Sequence, residues 1–363
     1  MRSSLLRAAL RACPPPLPLP RRALTTSAGR VVGGRVVDGM ADVSAFLIDL
    51  DGTMYTPAGP IAGADAFHDY LLAKRLPYVF LSNTGAKGAS GVAQRLAANG
   101  ILSGGAPVGH EHIYTASQAQ CEYMVRTFAR GAKVFVFAGG FETTLEQSFW
   151  MERLRQLDAE LVGSWDVRTF LTEVEAKAWG ELARAGRGPP VYVVVFSDGS
   201  IKALRDPTTG ELGFADWSFD VIKKAGYLLS HGATFVCTAE DSFNVRPDGW
   251  PLPGPGIIVA LFRTLMYPDG NANLHVCGKG GDLGNEYMME RAVAMLRAQG
   301  HEGGRESIVM VGDRFDTDMR AGTGAGLRTC LVESGCHKIE LQSFYPNDRV
   351  DFVASSVAEL IRP

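Results

Sequence analysis

The stretch Ala45–Tyr55, AFLIDLDGTMY, constrains this chain more than any other. Phe46, Leu47 and Ile48 form a short apolar run that fits a strand buried on both faces. Asp49 and Asp51 follow at once, then Gly52 and Thr53. Residues two apart on an extended segment point the same way, so the two carboxylates project together from the strand's carboxyl end. That is the edge at which open α/β sheets take their ligands. Gly52 lets the backbone turn away sharply. Two carboxylates held this close repel each other unless a cation or a shared proton intervenes. The pair therefore points to chemistry, with a metal ion as the natural counter-charge.

A chain of 363 residues is long enough for two domains, and 46% hydrophobic residues can fill two cores. The formal net charge of −3 offers no basic excess to a nucleic acid. No uncharged apolar run approaches the length that spans a bilayer. Neither nucleic acid nor membrane is expected as a partner. Cys13, Cys121, Cys237, Cys277, Cys330 and Cys336 show no paired spacing and read as reduced thiols. The N-terminus differs from the rest. Arg2, Arg7 and Arg11 punctuate Leu and Ala, a proline-rich run follows, and the first acidic residue is Asp38. Residues 1–35 have the composition of a transit peptide, which predicts import into the mitochondrial matrix, with a plastid as the alternative.

After the opening strand, residues 52–61 read as a turn-rich flap and 62–76 as a helix. A strand at Tyr78–Leu81 and a helix at 89–99 complete a βαβ unit. The middle third alternates likewise. Strands are expected at Lys133–Phe137, Val191–Phe196 and Thr234–Cys237. Helices are expected at Ser117–Arg130, Thr143–Gln156, Thr172–Ala185, Phe219–Leu229 and Ile257–Met266, with loops at 185–190 and 204–213. The last quarter adds strands at Leu274–Cys277, Ile308–Val311 and Arg328–Val332, with helices at Glu286–Gln299 and 315–325, and Val350–Val353 and Val357–Ile361 close the domain. The simplest architecture is a doubly wound parallel α/β core made of 42–105 plus 273–363. A second α/β domain, 106–272, is inserted between its halves.

Each expected core strand ends in polar residues: Asp49/Asp51, Ser82/Asn83, Lys279, and Asp313 with Asp318 beyond it. In a parallel sheet these ends converge on one edge. Carboxylates in that number suit Mg²⁺, and Ser82, Lys279 and helix-start amides suit phosphate oxygens. A carboxylate beside both is placed for in-line attack on phosphorus.

Asp49-Leu-Asp51-Gly52-Thr53 resembles the nucleophile motif of the haloacid dehalogenase superfamily. Ser82, Lys279 and Gly312-Asp313…Asp318 resemble its second, third and fourth motifs, in the right order. The resemblance implies a Rossmann-like core, an inserted α/β cap of the C2 type, and a Mg²⁺-dependent phosphatase. It implies Asp49 as nucleophile and Asp51 as proton donor and acceptor. Ser82 and the amide of Asn83 would hold the phosphoryl group, and Lys279 would neutralise it. Asp313 would bind Mg²⁺ with Asp49 and the backbone carbonyl of Asp51, and Asp318 would support the metal's waters or Lys279. Within the superfamily the chain is similar to the branch of 4-nitrophenylphosphatases, phosphoglycolate phosphatases and pyridoxal phosphatases. The insertion point, the run Met310–Asp318, Gly232-Ala233-Thr234-Phe235 and Pro253-Gly254-Pro255-Gly256 carry that likeness. It implies a small phosphorylated metabolite as substrate and allows a homodimer through the cap.

The chain also departs from that branch. Ser82-Asn83-Thr84-Gly85, Gly278-Lys279-Gly280 and Thr238-Ala239-Glu240-Asp241 replace its usual motifs, and the stretch around 165–190 is longer. Asp316 reads as a helix-start carboxylate, Lys87 as a surface residue, and Cys237 and Cys277 as packing residues; His110-Glu111-His112 has no partner cluster near in sequence and does not read as a metal site. The rival reading is a catalytically silent binding or scaffold protein of the same fold. The complete Asp49/Asp51/Lys279/Asp313 set argues against it.

Overall fold

The computed structural model describes residues 39–84, 88–137, 148–196, 203–205, 212–214, 219–241, 243–245, 251–266 and 273–362. The expected transit peptide, Cys13, Lys87 and the start of the expected Thr143–Gln156 helix lie outside these residues.

Two parallel sheets organise the chain. The strands are β1 (Ala45–Ile48), β2 (Tyr78–Ser82), β3 (Ile113–Thr115), β4 (Lys133–Val136), β5 (Asp166–Arg168), β6 (Val191–Val195), β7 (Thr234–Cys237), β8 (Leu274–Val276), β9 (Ile308–Gly312), β10 (Arg328–Val332) and β11 (Phe352–Ala354). The first sheet runs β11-β10-β9-β1-β2-β3. Every neighbouring pair in it is parallel. The second runs β8-β7-β6-β4-β5, again all parallel.

β1 lies in the middle of the first sheet, and all four of its residues are buried. Its alternating side chains enter two different apolar clusters. Phe46 and Ile48 pack with Phe67 and Leu71 of the helix α1 (Ala64–Ala73) and with Val92 and Leu96 of α2 (Ala89–Ala98). Ala45 and Leu47 pack with residues of α3 (Ala116–Thr127), such as Ala119 and Met124. The same cluster continues into Val134, Tyr192, Val194 and Val236 of the second sheet. α3 is therefore a layer shared by both sheets. Gln120 on it is fully buried, donates Nε2 to the Val195 carbonyl at 2.9 Å and accepts the Thr238 hydroxyl at 2.6 Å. A capping box starts α3: the Thr115 side chain takes the Gln118 N–H and Gln118 takes that of Thr115.

The structure corrects several expected elements. The strand at 274–276 pairs with β7 in the second sheet, not with a strand of the first. An unexpected strand, β3, pairs with β2 and extends the first sheet beyond residue 105. The longer stretch around 165–190 carries β5 and a helix at Glu173–Ala185. Within the expected 204–213 loop, Ala203–Arg205 and Leu212–Phe214 pair antiparallel. The expected flap contains a small hairpin, Tyr55–Thr56 against Gly59–Pro60. The helix expected from Thr143 is described over Phe149–Gly163. A strand's apolar pattern reports burial and not the identity of its neighbour, so the pattern of β8 does not tell which sheet it joins.

Candidate active site

β1 carries Asp49 to the carboxyl edge of the first sheet, where its N–H donates to the Val311 carbonyl at 2.8 Å. The side chain is buried, and Thr53 donates its hydroxyl to Oδ2 at 3.2 Å. Oδ1 accepts the Lys279 ammonium. Lys279 also pairs with the Asp318 carboxylate, Oδ1 at 2.7 Å, and donates to the Leu81 carbonyl at 3.2 Å. Burial alone would lower this lysine, but the Asp318 and Asp49 carboxylates outweigh it and hold it charged, above its ordinary range. Lys279 follows a strand of the second sheet, so the two sheets' carboxyl edges meet here.

Asp313 follows β9. Its Oδ2 accepts the Cys336 N–H at 2.6 Å, whereas its Oδ1 is buried with no hydrogen-bond partner. Burial, with Asp49 beside it, raises its carboxyl to about 7. Gly52 is required at its position: its φ is +87°, and a Cβ there would lie 2.3 Å from Asp313 Oδ2. Asp318 sits in a π-helical turn, Phe315–Met319, and its Oδ2 accepts the Arg314 N–H at 3.2 Å. Burial raises its carboxyl well above the usual range, against the pull of Lys279. Asp316, expected at a helix start, holds the Arg314 guanidinium through two bonds of 3.0 and 2.7 Å.

One oxygen each of Asp49, Asp313 and Asp318 lies within 4.8 Å of the others. The unpartnered Asp313 oxygen and a hard, all-carboxylate donor set fit a cation such as Mg²⁺.

Asp51 stands apart from this buried group, with its side chain 53% exposed and Oδ1 bound by Arg95 at 2.9 Å. Desolvation in the cleft raises its carboxyl to about 6, with Arg95 opposing and Asp49 assisting. Arg95 lies over the Tyr55 ring at 4.5 Å. Ser82 ends β2, is buried, and accepts the Thr84 N–H at 3.1 Å. The Asn83 side chain accepts the Lys279 N–H at 2.9 Å and donates to Asp241 at 2.8 Å. His110 and His112 lie elsewhere, in a short turn before β3, where His112 stacks on Tyr78.

Sequence reasoning gave no role to Thr53, Arg95 or Asp241. Thr53 was in view within the first motif. Asp241 ends a segment flagged only as a departure from a family pattern. Arg95 is one arginine on an amphipathic helix and carries no local signal.

Two family models match the chain: haloacid dehalogenase-like hydrolase over residues 46–148, and HAD-hydrolase-like over 283–360. The chain belongs to the haloacid dehalogenase superfamily. The matched segments carry the Asp49 and Ser82 motifs and the Asp313 motif. Among curated relatives, dihydroxyacetone phosphatase from Corynebacterium glutamicum is 26% identical over 316 residues, covering 87% of this chain and 90% of the relative. Acid sugar phosphatase from Staphylococcus aureus is 25% identical, covering 83% and 90%. Among solved structures, 4-nitrophenylphosphatase from Thermotoga maritima has a TM-score of 0.59 at 22% identity, covering 91% of this chain and 99% of that one. A glycerol phosphate phosphatase from Mycobacterium tuberculosis, solved in complex with magnesium, has a TM-score of 0.58 at 22% identity, covering 89% and 77%. These structures share the Rossmann-like α/β fold.

Proposed function

We propose that this superfamily member is a Mg²⁺-dependent phosphatase that hydrolyses small phosphomonoester metabolites through an aspartyl phosphate on Asp49. The observation that carries this reading is the pairing of Asp49 with Lys279 inside a three-carboxylate cluster, while Asp51 stands apart at the open side. The matched relatives named for dihydroxyacetone, acid sugar and glycerol phosphate phosphatases support the substrate class.

In the first step an Asp49 oxygen forms a bond to phosphorus, and the bond from phosphorus to the leaving oxygen breaks. Asp51 gives that oxygen its proton, which a carboxyl raised to about 6 can do near neutral pH. In the second step Asp51, now ionised, takes a proton from water as the water attacks the same phosphorus. Asp49 leaves as a free carboxylate. Lys279 offsets charge on the phosphoryl oxygens, and Ser82 with the main-chain amide of Asn83 binds them. Asp49, Asp313 and the Asp51 carbonyl would hold Mg²⁺, with Asp318 beside them. When bound, the ion supplies positive charge where phosphoryl charge develops. The N-terminal 35 residues, rich in Arg and free of acid, support import into the mitochondrial matrix.

The test is hydrolysis of 4-nitrophenyl phosphate, then of a panel of phosphorylated metabolites, with and without Mg²⁺. Wild-type turnover should vanish on chelation and return with Mg²⁺. Asp49→Asn should lose turnover by orders of magnitude while melting at the wild-type temperature. Asp49→Asn with wild-type-like turnover would remove Asp49 as nucleophile. No hydrolysis by the wild type under any metal or substrate would favour the silent scaffold.

A further inference from the structure

The Asn83 side chain is bonded to protein on both ends. Its Oδ1 accepts the Lys279 N–H at 2.9 Å, and its Nδ2 donates to the Lys279 carbonyl at 3.3 Å and to Asp241 Oδ2 at 2.8 Å. The amide thus grips the main chain of the lysine whose ammonium bonds Asp49. A side-chain amide can flip, and only its neighbours decide which end is which. The peptide groups of Lys279 offer one donor and one acceptor. An ionised Asp241 is acceptor-only and fixes the NH₂ end.

Asp241 reaches this place from the second sheet, four residues beyond the last residue of β7. The arm is braced from behind. The Gly256 N–H donates to the Asp241 carbonyl at 2.9 Å. A Cβ on Gly254 would lie 2.1 Å from the Asp241 carbonyl oxygen, and one on Gly256 would lie 2.1 Å from that of Glu240. The Pro253–Gly256 segment therefore packs directly on the backbone of the arm. Arg263, on the helix that follows it, pairs with Glu240. On the other side, a Cβ on Gly278 would lie 2.7 Å from both Asn83 Oδ1 and the Thr238 carbonyl oxygen. Little slack is left between the arm, Asn83 and the Gly278-Lys279 segment.

We propose that Asp241 is a positioning residue, which orients the Asn83 amide and through it sets Lys279 against Asp49 and Asp318. The second sheet then contributes to the rate of the reaction as well as enclosing it. The proposal rests on the phosphatase reading for its rate consequence but not for its effect on anion binding. Because Asp241 acts through Lys279 and not through the leaving group, its removal slows all phosphomonoesters alike.

The experiment uses the full chain with Mg²⁺ and compares wild type, Asp241→Ala, Asp241→Asn, Asn83→Ala and the Asp241→Ala/Asn83→Ala double variant. Three readouts are taken: kcat and KM on 4-nitrophenyl phosphate and on a sugar phosphate, calorimetric affinity for inorganic phosphate, and melting temperature. Asp241→Ala should lower kcat/KM about tenfold, the scale of one lost hydrogen bond, by the same factor for both esters. It should weaken phosphate binding as well. Asp241→Asn keeps an acceptor oxygen and should stay within about threefold of wild type. The double variant should be no worse than Asn83→Ala alone.

A changed ratio between the two esters in Asp241→Ala would overturn the proposal, placing Asp241 against the leaving group. Full additivity in the double variant would also overturn it. So would a loss in Asp241→Asn as large as in Asp241→Ala. If the wild type hydrolyses neither ester yet Asp241→Ala still weakens phosphate binding, the phosphatase reading fails and the positioning role stands. If the wild type hydrolyses both and Asp241→Ala matches it in every readout, the positioning role alone fails.

Discussion

Asp51 lies between an arginine and a carboxylate that pull its proton affinity in opposite directions. Desolvation in the cleft raises its carboxyl to about 6, Arg95 at 2.9 Å lowers it, and Asp49 raises it again. A proton donor works best when its pKa is near the working pH. If Asp51 is the donor proposed above, Arg95 tunes it without touching phosphorus. Removing the guanidinium in Arg95→Met takes away the lowering influence, so the Asp51 pKa must rise. In the proposed mechanism kcat/KM covers steps up to the first P–O cleavage and needs Asp51 protonated, so it falls as pH rises through that pKa. The alkaline limb of the kcat/KM profile should therefore move to higher pH in Arg95→Met. A limb that stays in place or moves to lower pH would show that Arg95 does not set the donor. The clustered carboxylates are legible in the sequence because they stand two apart on one short stretch and after apolar runs. Arg95 is not, because its link to Asp51 spans 44 residues and is made only by folding.

At the scale of elements, α3 is the part that sequence reasoning described least well. The sequence marks a helix near 117–130 and nothing of its shared position between two sheets. The same limit applied to β3 and β8. Three-residue strands carry almost no periodic signal, and an apolar strand does not announce its partner. The sheet to which β8 belongs decides that Lys279 reaches the site from the second sheet. What fixes α3 between the sheets, beyond apolar packing, is Gln120, whose amide ties the ends of β6 and β7 together. In Gln120→Leu the volume is nearly kept, but the Val195 carbonyl loses the Gln120 Nε2 donor and the Thr238 hydroxyl loses the Gln120 Oε1 acceptor, while the Thr238 hydroxyl and N–H still reach the Val195 carbonyl at 3.2 Å. Losing a hydrogen bond whose partners stay paired costs about 0.5–1.5 kcal/mol. Gln120→Leu should lower unfolding stability by that amount in urea, with the m-value unchanged. Stability equal to wild type would mean that packing alone holds the layer.

Among the described residues the two parallel sheets are joined by an apolar cluster that runs from Ala45 and Leu47 of β1 through α3 to Val134 and Val194 of the second sheet. An inserted domain hinged on loops alone would have its own core and could melt by itself. Here part of its core is shared, so the surface freed by unfolding one sheet includes surface that stabilises the other. Cooperativity follows from that sharing. The chain supplies a convenient probe, because its five tryptophans all lie between residues 150 and 250, within the sequence span of the second sheet. Tryptophan fluorescence therefore reports on the second-sheet span and on the shared cluster, where Trp150 and Trp165 lie, whereas far-ultraviolet circular dichroism reports on both sheets. In a urea titration the two signals should give coincident transitions with one midpoint. A fluorescence transition at lower urea than the dichroism transition would show the inserted region unfolding first, and the shared cluster would then be too weak to couple the sheets. Coincidence would also mean that substitutions on β1 and on β6 shift the same midpoint, although Phe46 and Val193 lie in separate clusters.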